Sequence, residues 1–229
     1  MRKIIIEGQE IRMSDPNVEN VPTAEQYVES LYAADPVLKR VEQSIRENGM
    51  PEISIHPGYG RLLTLLVRLS GAKHVLEIGA LGGYSGICLA RGLGSDGTLT
   101  SLELEQKYAD LAHSNLRSAG LGDKVKYIVG EALDGLQKVA DQGRRFDFFF
   151  IDADKGNYPH YLDWAIKLGN PGAIILGDNA LMHGRSANPQ ITAPSVEAMR
   201  EFNKRIAADP RLESTLLPAY DGLVVARIR

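Results

Sequence analysis

The chain has a single cysteine, Cys88, among its 229 residues. One cysteine excludes an internal disulfide and any all-cysteine metal site. It also makes a reducing, cytoplasmic setting the simplest expectation. No apolar run approaches the ~20 residues that a membrane-spanning helix needs. Ile4–Ile6, behind the basic Arg2 and Lys3, is too short for a signal peptide. Neither sign of charge is in large excess: the formal net charge is −3. That balance favours neither a nucleic acid nor an acidic membrane surface as partner. No internal repeat or low-complexity tract is present, and no linker divides the chain.

What is there suits one α/β domain long enough to bury a large sheet. Residues 1–22 read as an N-terminal arm that need not be ordered, and residues 23–229 as a single domain. The first dozen residues fit a short strand, an extra arm, or a leader ahead of a start at Met13. Thr23 with Gln26 forms a capping box that opens a helix through Ala33. Asp35-Pro36 opens a second helix, with Gly49 just past its end. A third runs from about Gly58 to Ser70, with Leu62, Leu63, Leu65, Leu66 and Leu69 as its apolar face.

Strands then alternate with helices. The strand runs are His74–Ile78, Thr98–Glu103, Val125–Val129, Phe146–Ile151 and Ala173–Leu176, with helices at about 83–93, 105–119, 131–141 and 157–168. Such alternation implies right-handed crossovers and a parallel sheet covered on both faces. A helix at about 194–208 follows, then Leu212–Leu217, the turn Tyr220-Asp221-Gly222, and Leu223–Ile228. Asp-Gly between two apolar runs signals a hairpin, so the last strand is expected to run antiparallel. The sum is α/β, and its shape resembles the Rossmann-like methyltransferase fold, which implies a seven-stranded, mostly parallel sheet with an antiparallel C-terminal strand and helices on both faces.

Ligands of doubly wound sheets sit beyond the carboxyl ends of the strands. The first strand of the alternation ends in Glu77-Ile78-Gly79-Ala80-Leu81-Gly82-Gly83-Tyr84-Ser85. Its glycines allow a tight turn and a close ligand approach. This strand does not lead into G-x-G-x-x-G, which argues against a nicotinamide-dependent oxidoreductase. A pyrophosphate wants bare N–H groups at a helix N-terminus. A ligand carrying an amino acid has an ammonium that benefits from a carboxylate such as Glu77. Glu103 ends the next strand, where an acid can accept hydrogen bonds from ribose hydroxyls.

Two further strands end in Ile151-Asp152-Ala153-Asp154-Lys155 and in Leu176-Gly177-Asp178-Asn179. As neighbours in the sheet, they bring Asp152, Asp178 and Asn179 toward one point. Two carboxylates and an amide oxygen form a hard oxygen set, suited to Mg²⁺, with Ca²⁺ or Mn²⁺ as alternatives. Three protein oxygens leave open positions for a substrate with two adjacent oxygens. Met182 and His183 follow in the loop and are candidates to wall the substrate. His56, His74, His113 and His160 read as structural, and Cys88 as a small buried helix residue.

These motifs together resemble the cation-dependent O-methyltransferases typified by the caffeoyl-CoA and catechol enzymes. The resemblance runs from about Thr23 to the C-terminus. It is carried by Leu76-Glu77-Ile78-Gly79 with Gly83-Tyr84-Ser85, and by Phe150-Ile151-Asp152-Ala153-Asp154-Lys155 with Tyr158 and Tyr161. Asp178-Asn179 with Leu181 and Gly184, Asp209-Pro210-Arg211, Leu217-Pro218 and Asp221-Gly222 complete it. The resemblance implies S-adenosylmethionine as methyl donor, contacted by Ile55, Glu77, Gly79, Ala80, Tyr84, Ser85, Glu103, Ala132, Asp152 and Asp154. It implies Asp152, Asp178 and Asn179 as metal ligands and Lys155 as general base. A homodimer through the leading helices is implied in the same way.

The chain departs from the family pattern at Leu181-Met182, where Leu-Trp is usual, with His183 next. A clear basic set for a coenzyme A thioester is missing. The expected acceptor is therefore a small free catechol-like or caffeate-like phenol. A binding protein that keeps the donor pocket without turnover is the competing reading, and Met182-His183 is the one hint of it. In the enzyme, the residues mainly align the reacting atoms, which removes about 7–11 kcal/mol of barrier at best. A cation and a sulfonium near Lys155 both disfavour its ammonium form, which would let it take the phenol proton.

Overall fold

Helix and strand limits follow closely from the local signals. The computed structural model describes residues 3–6, 9–12 and 21–229. It divides into two units, Met1–Ala33 and Ala34–Arg229. In the first, β1 (Lys3–Ile6) pairs antiparallel with β2 (Gln9–Arg12). The rest of the expected arm, residues 1–2, 7–8 and 13–20, lies outside the described residues. Helix α1 (Ala24–Ser30) opens on the expected capping box: Thr23 accepts from the Gln26 amide, and the Gln26 side chain accepts from the Thr23 amide. It stops before Ala33 because the Leu31 and Tyr32 amides bond three residues back, which tightens the last turn.

The second unit opens with α2 (Pro36–Glu47), whose N-cap Asp35 accepts from the Val37 and Leu38 amides. Helix α3 (Pro57–Ser70) ends at Gly71, which takes a left-handed conformation. Its buried stripe is Tyr59, Leu63 and Val67, at four-residue spacing. Leu65 and Leu69, expected on the apolar face, are exposed instead. A run rich in leucine does not by itself say which leucines face inward.

The alternating segment gives β3 (His74–Ile78), α4 (Tyr84–Gly92), β4 (Thr98–Glu103), α5 (Gln106–Ser118) and β5 (Val125–Val129). It continues with α6 (Ala132–Asp141), β6 (Phe146–Ile151), α7 (Tyr158–Leu168) and β7 (Gly169–Gly177). Helix α8 (Pro194–Ala208), β8 (Leu212–Leu217) and β9 (Leu223–Ile228) close the chain. The sheet order is β5-β4-β3-β6-β7-β9-β8. The five strands β5, β4, β3, β6 and β7 run parallel to one another, and β9 runs antiparallel to both β7 and β8. The expected sheet is therefore the observed one.

Two buried clusters flank the sheet. One gathers Phe146, Phe149 and Ile151 with residues of α7 and α8. The other gathers Phe148, Phe150 and Val75 with residues of α2, α3 and α4. From Phe148 to Ile151 the side chains alternate between the two faces, as a strand requires, and Phe146 departs from that alternation at the register shift against β7. A literal G-x-G-x-x-G does occur, at Gly92–Gly97, but it leaves α4 and enters β4. That is the reverse of the strand-to-helix order that binds a dinucleotide. Among the described residues, no helix is long and apolar enough to cross a membrane.

Candidate active site at the carboxyl edge of the sheet

Parallel register brings four chain turns to one edge. Ile78 pairs with Leu102 and with Ile151, and Ile151 pairs with Gly177. The amides just past each strand continue the ladder: Gly79 donates to Leu102, Asp152 to Ile78, and Asp178 to Ile151. Gly79, Asp152 and Asp178 are therefore the first residues beyond three adjacent strands. Their convergence comes from sheet register and needs no loop arrangement.

The turn after β3 is held from below and from the side. Gly79 has φ +95°, and a Cβ there would sit 2.1 Å from the Asp152 carbonyl oxygen. The missing side chain makes room for the β6 end. The sequence suggested room for a ligand, but at Gly79 a neighbouring strand fills that space. Glu77 is fully buried, and its oxygens accept from Ser85 Oγ at 2.6 Å and Ser101 Oγ at 2.5 Å. Burial pushes its carboxyl up to about 7, although the two hydroxyls favour the charged form. Glu77 thus braces the start of α4 from inside the sheet and does not face open space.

Glu103 staples the same turn from β4. Its Oε2 accepts from the Ala80 and Leu81 amides at 3.0 and 2.9 Å, and its Oε1 from the Glu105 amide at 3.0 Å. A carboxylate can accept about four hydrogen bonds, so capacity remains for a ligand hydroxyl. Ile55 and Tyr84 are buried beside this region, ahead of α3 and at the start of α4. Ala132 opens α6 and packs on the core.

The second half of the edge is acidic. Asp178 is buried, and its Oδ1 accepts from the Asn179 amide at 2.8 Å. Burial, then the charge of Asp152, pushes its carboxyl up to about 7; Asp221 adds to the rise and Lys155 opposes it. Lys155 Nζ donates to Asp152 Oδ1 at 3.0 Å and to the Tyr158 hydroxyl at 2.8 Å. That hydroxyl lies 3.1 Å from the Ile151 carbonyl and 3.0 Å from the Asp178 carbonyl. Tyr158 therefore ties the ends of β6 and β7 together and fixes the Lys155 side chain.

Two carboxylates, with Asp221 near, are opposed by Lys155, and one of them is driven toward protonation. A hard divalent cation relieves that repulsion, so the residues fit one. Among the described residues, no three of His, Cys, Asp and Glu cluster to hold a metal. The expected set has only two such acids, and its third member is the amide of Asn179. Asn179 sits at φ +56°, a conformation that asparagine tolerates.

The structure does not bring every expected residue to this edge. Asp154, in the turn just past β6, has both oxygens engaged: Tyr161 of α7 donates to its Oδ1 at 2.5 Å and Asn157, just before α7, to its Oδ2 at 2.8 Å. Met182 is buried in the cluster with Val196, Met199 and Phe202. His183 projects outward, with 84% of its side chain exposed. Ser101 carries no signal in the sequence, and Tyr158 and Asp221, which stand there only as parts of motifs, act here as a hydroxyl donor and a loop anchor. Asp221 is buried; its carbonyl accepts from the Leu181 amide and its Oδ1 from the His183 amide. Only the position of Asp221 beside a turn glycine hinted at this.

The O-methyltransferase family matches residues 28–229. A catechol O-methyltransferase of Niastella koreensis is 38% identical over 201 residues, covering 85% of this chain and 91% of its own. The O-methyltransferase of Bacillus cereus, solved in complex with SAH, superposes with a TM-score of 0.85 at 42% identity, covering 90% of this chain and 96% of its own. The O-methyltransferase TomG of Streptomyces achromogenes, solved with SAM, gives 0.83 at 36% identity, covering 90% and 96%. On its sequence, its sheet and its strand-end site, this chain belongs to the O-methyltransferase family.

Proposed function

We propose that the chain moves a methyl group from S-adenosylmethionine to one hydroxyl of a small catechol-like or caffeoyl-like aromatic, with a divalent cation at the site. The observation that carries this reading is the meeting of Asp152, Asp178 and Lys155 at the edge where Glu103 braces the Gly79–Ser85 turn. The bound SAH and SAM of the two structural relatives support the donor, and the name of the Niastella relative supports the acceptor class.

When bound, the donor supplies an activated methyl on sulfur, and the cation supplies Lewis-acid polarisation of a hydroxyl. The chain supplies the rest. Asp152, Asp178 and the Asn179 amide oxygen would hold Mg²⁺, or Ca²⁺ or Mn²⁺ in its place. Glu103 keeps one acceptor position for a ribose hydroxyl. Glu77 and Ser85 keep the α4 start rigid beneath the donor. Lys155, steered by Tyr158, takes the acceptor proton at Nζ or holds the oxygen in place. Holding nucleophile and methyl carbon in line is the largest contribution expected of such a site. A homodimer belongs to the same reading; Tyr27 and Val28 of α1 and Leu31 just after it are exposed and support it.

The test is a product assay on a panel of catechols with S-adenosylmethionine. A product heavier by one methyl, with the methyl on oxygen by fragmentation or NMR, is expected. No product from any member, from protein that binds SAH, would favour the non-catalytic reading.

A further inference from the structure

The turn between β8 and β9 carries an aromatic residue in a place that suits glycine. Tyr220 has φ +52°. A bulky side chain there is a conformational outlier, and such strain persists only where the surroundings enforce it. Here the ring of Tyr220 stacks on His56, with centroids 4.5 Å apart and planes 13° from parallel. It also meets the Tyr59 ring edge-on at 4.9 Å. Tyr59 in turn donates to the Ala219 carbonyl at 2.5 Å. Three contacts thus hold the turn against the start of α3.

Register places this turn at the active edge. Gly177 pairs with Val224, so Leu223 is level with Asp178 and the preceding turn lies beyond it. Asp221, next to Tyr220, acts electrostatically on Asp178 and anchors the Leu181 and His183 amides. His56 follows Ile55, on the side of the Gly79–Ser85 turn. The stacked pair therefore bridges the two halves of the site at its mouth. His56 is exposed and Tyr220 half-buried, so the pair meets solvent.

We propose that His56 and Tyr220 form a stacking wall that positions a planar aromatic acceptor, and so set acceptor preference in place of the Met182-His183 loop. This rests on the methyl-transfer reading above. The supporting facts are the near-parallel rings, the strained tyrosine and the position at the mouth. Aromatic rings favour offset stacking on such a surface, which is worth a few-fold in affinity for each contact. An acceptor without a flat ring gains nothing from it.

The test compares wild type with Tyr220→Gly, Tyr220→Phe and His56→Ala. Glycine suits the positive φ, so Tyr220→Gly removes the ring without adding backbone strain. Acceptor KM and the calorimetric Kd for catechol itself are expected to rise roughly two- to tenfold in Tyr220→Gly and His56→Ala. The loss should fall on KM more than on kcat, SAH affinity should hold, and Tyr220→Phe should restore wild-type values. Unchanged KM and Kd in both ring-removal variants would overturn the wall, even if their Tm fell. So would a wild type that binds no planar aromatic. A wild type that binds catechol but does not methylate it would sink the methyl-transfer reading alone, because the binding arm still reads the wall.

Discussion

The Lys155 ammonium donates to the Tyr158 hydroxyl at 2.8 Å, and that hydroxyl also reaches the carbonyls that end β6 and begin the Asp178 turn. One buried phenol thus couples the candidate base to the two strands that carry the candidate metal ligands. Tyr158→Phe keeps the ring and deletes the link. Leaving buried acceptors unmatched costs about 1–3 kcal/mol. Urea unfolding should show that loss, and kcat should fall with Lys155 no longer steered. Unchanged stability and kcat would mean that the hydroxyl does not organise the site.

Lys155 itself separates a proton acceptor from a charge. Lys155→Ala is expected to lower kcat by on the order of 10²–10⁴, with a much smaller effect on SAH affinity. Lys155→Arg keeps the charge but gives a side chain that stays protonated. It should be nearly as impaired as the alanine variant. Near-normal turnover in the arginine variant would leave Lys155 as a positioning group only.

Glu77 predicts a pH dependence of stability. Its ordinary value is 4.5 and its folded value about 7. Between those values the folded chain binds a proton that the unfolded chain has lost, so stability falls as pH rises through that window. The fall from this one group is at most roughly 3–4 kcal/mol. Glu77→Gln mimics the protonated form and should lessen the fall in stability between pH 4.5 and 7, leaving the share of Asp178, which is also raised to about 7. It should also be the more stable variant at pH 8. A wild type whose stability rises steadily over this range, with the variant in parallel, would contradict the assignment.

Gly79 is where the β3 and β6 ends meet most closely. A methyl at Gly79 would collide with the Asp152 carbonyl oxygen at 2.1 Å, and φ is +95°. Gly79→Ala should lose roughly 2–5 kcal/mol from the combined overlap and backbone strain. Gly143→Ala is the control: it shares a positive φ of +67° but has open space around it. Its loss should be confined to the backbone part. Equal losses at both sites would show that the close approach does not matter.

Much of this fold was legible in the sequence because its signals are local. The limits of β3, β4, β5, β6, β8 and β9 match the hydrophobic runs residue for residue. β7 extends beyond the run Ala173–Leu176 at both ends, although Gly169-Asn170-Pro171-Gly172 looks like a turn in sequence. In the sheet that segment forms part of the strand, with a register shift opposite Phe146 and Phe148. The acids of the site were legible as strand-end residues, since parallel neighbours place such ends together. What stayed hidden depends on partners distant in sequence. Tyr59 and the Ala219 carbonyl are 160 residues apart. The Met182-His183 loop looked like a substrate wall by adjacency to Asn179, yet the chain turns with positive φ at both residues. One enters the core and the other faces out. Glu77 and Glu103 look alike in sequence as strand-end acids, and only their partners, two serine hydroxyls for one and the Ala80 and Leu81 amides for the other, separate a brace inside the sheet from a staple at its edge.

The central claim is that Asp152, Asp178 and Asn179 hold a hard cation that turnover requires. The most direct measurement is methyl transfer to catechol after exhaustive chelation, followed by stepwise return of Mg²⁺. The account predicts that activity disappears on chelation and returns in a saturable way, while SAH binding persists throughout. Full turnover in the metal-free protein would contradict it.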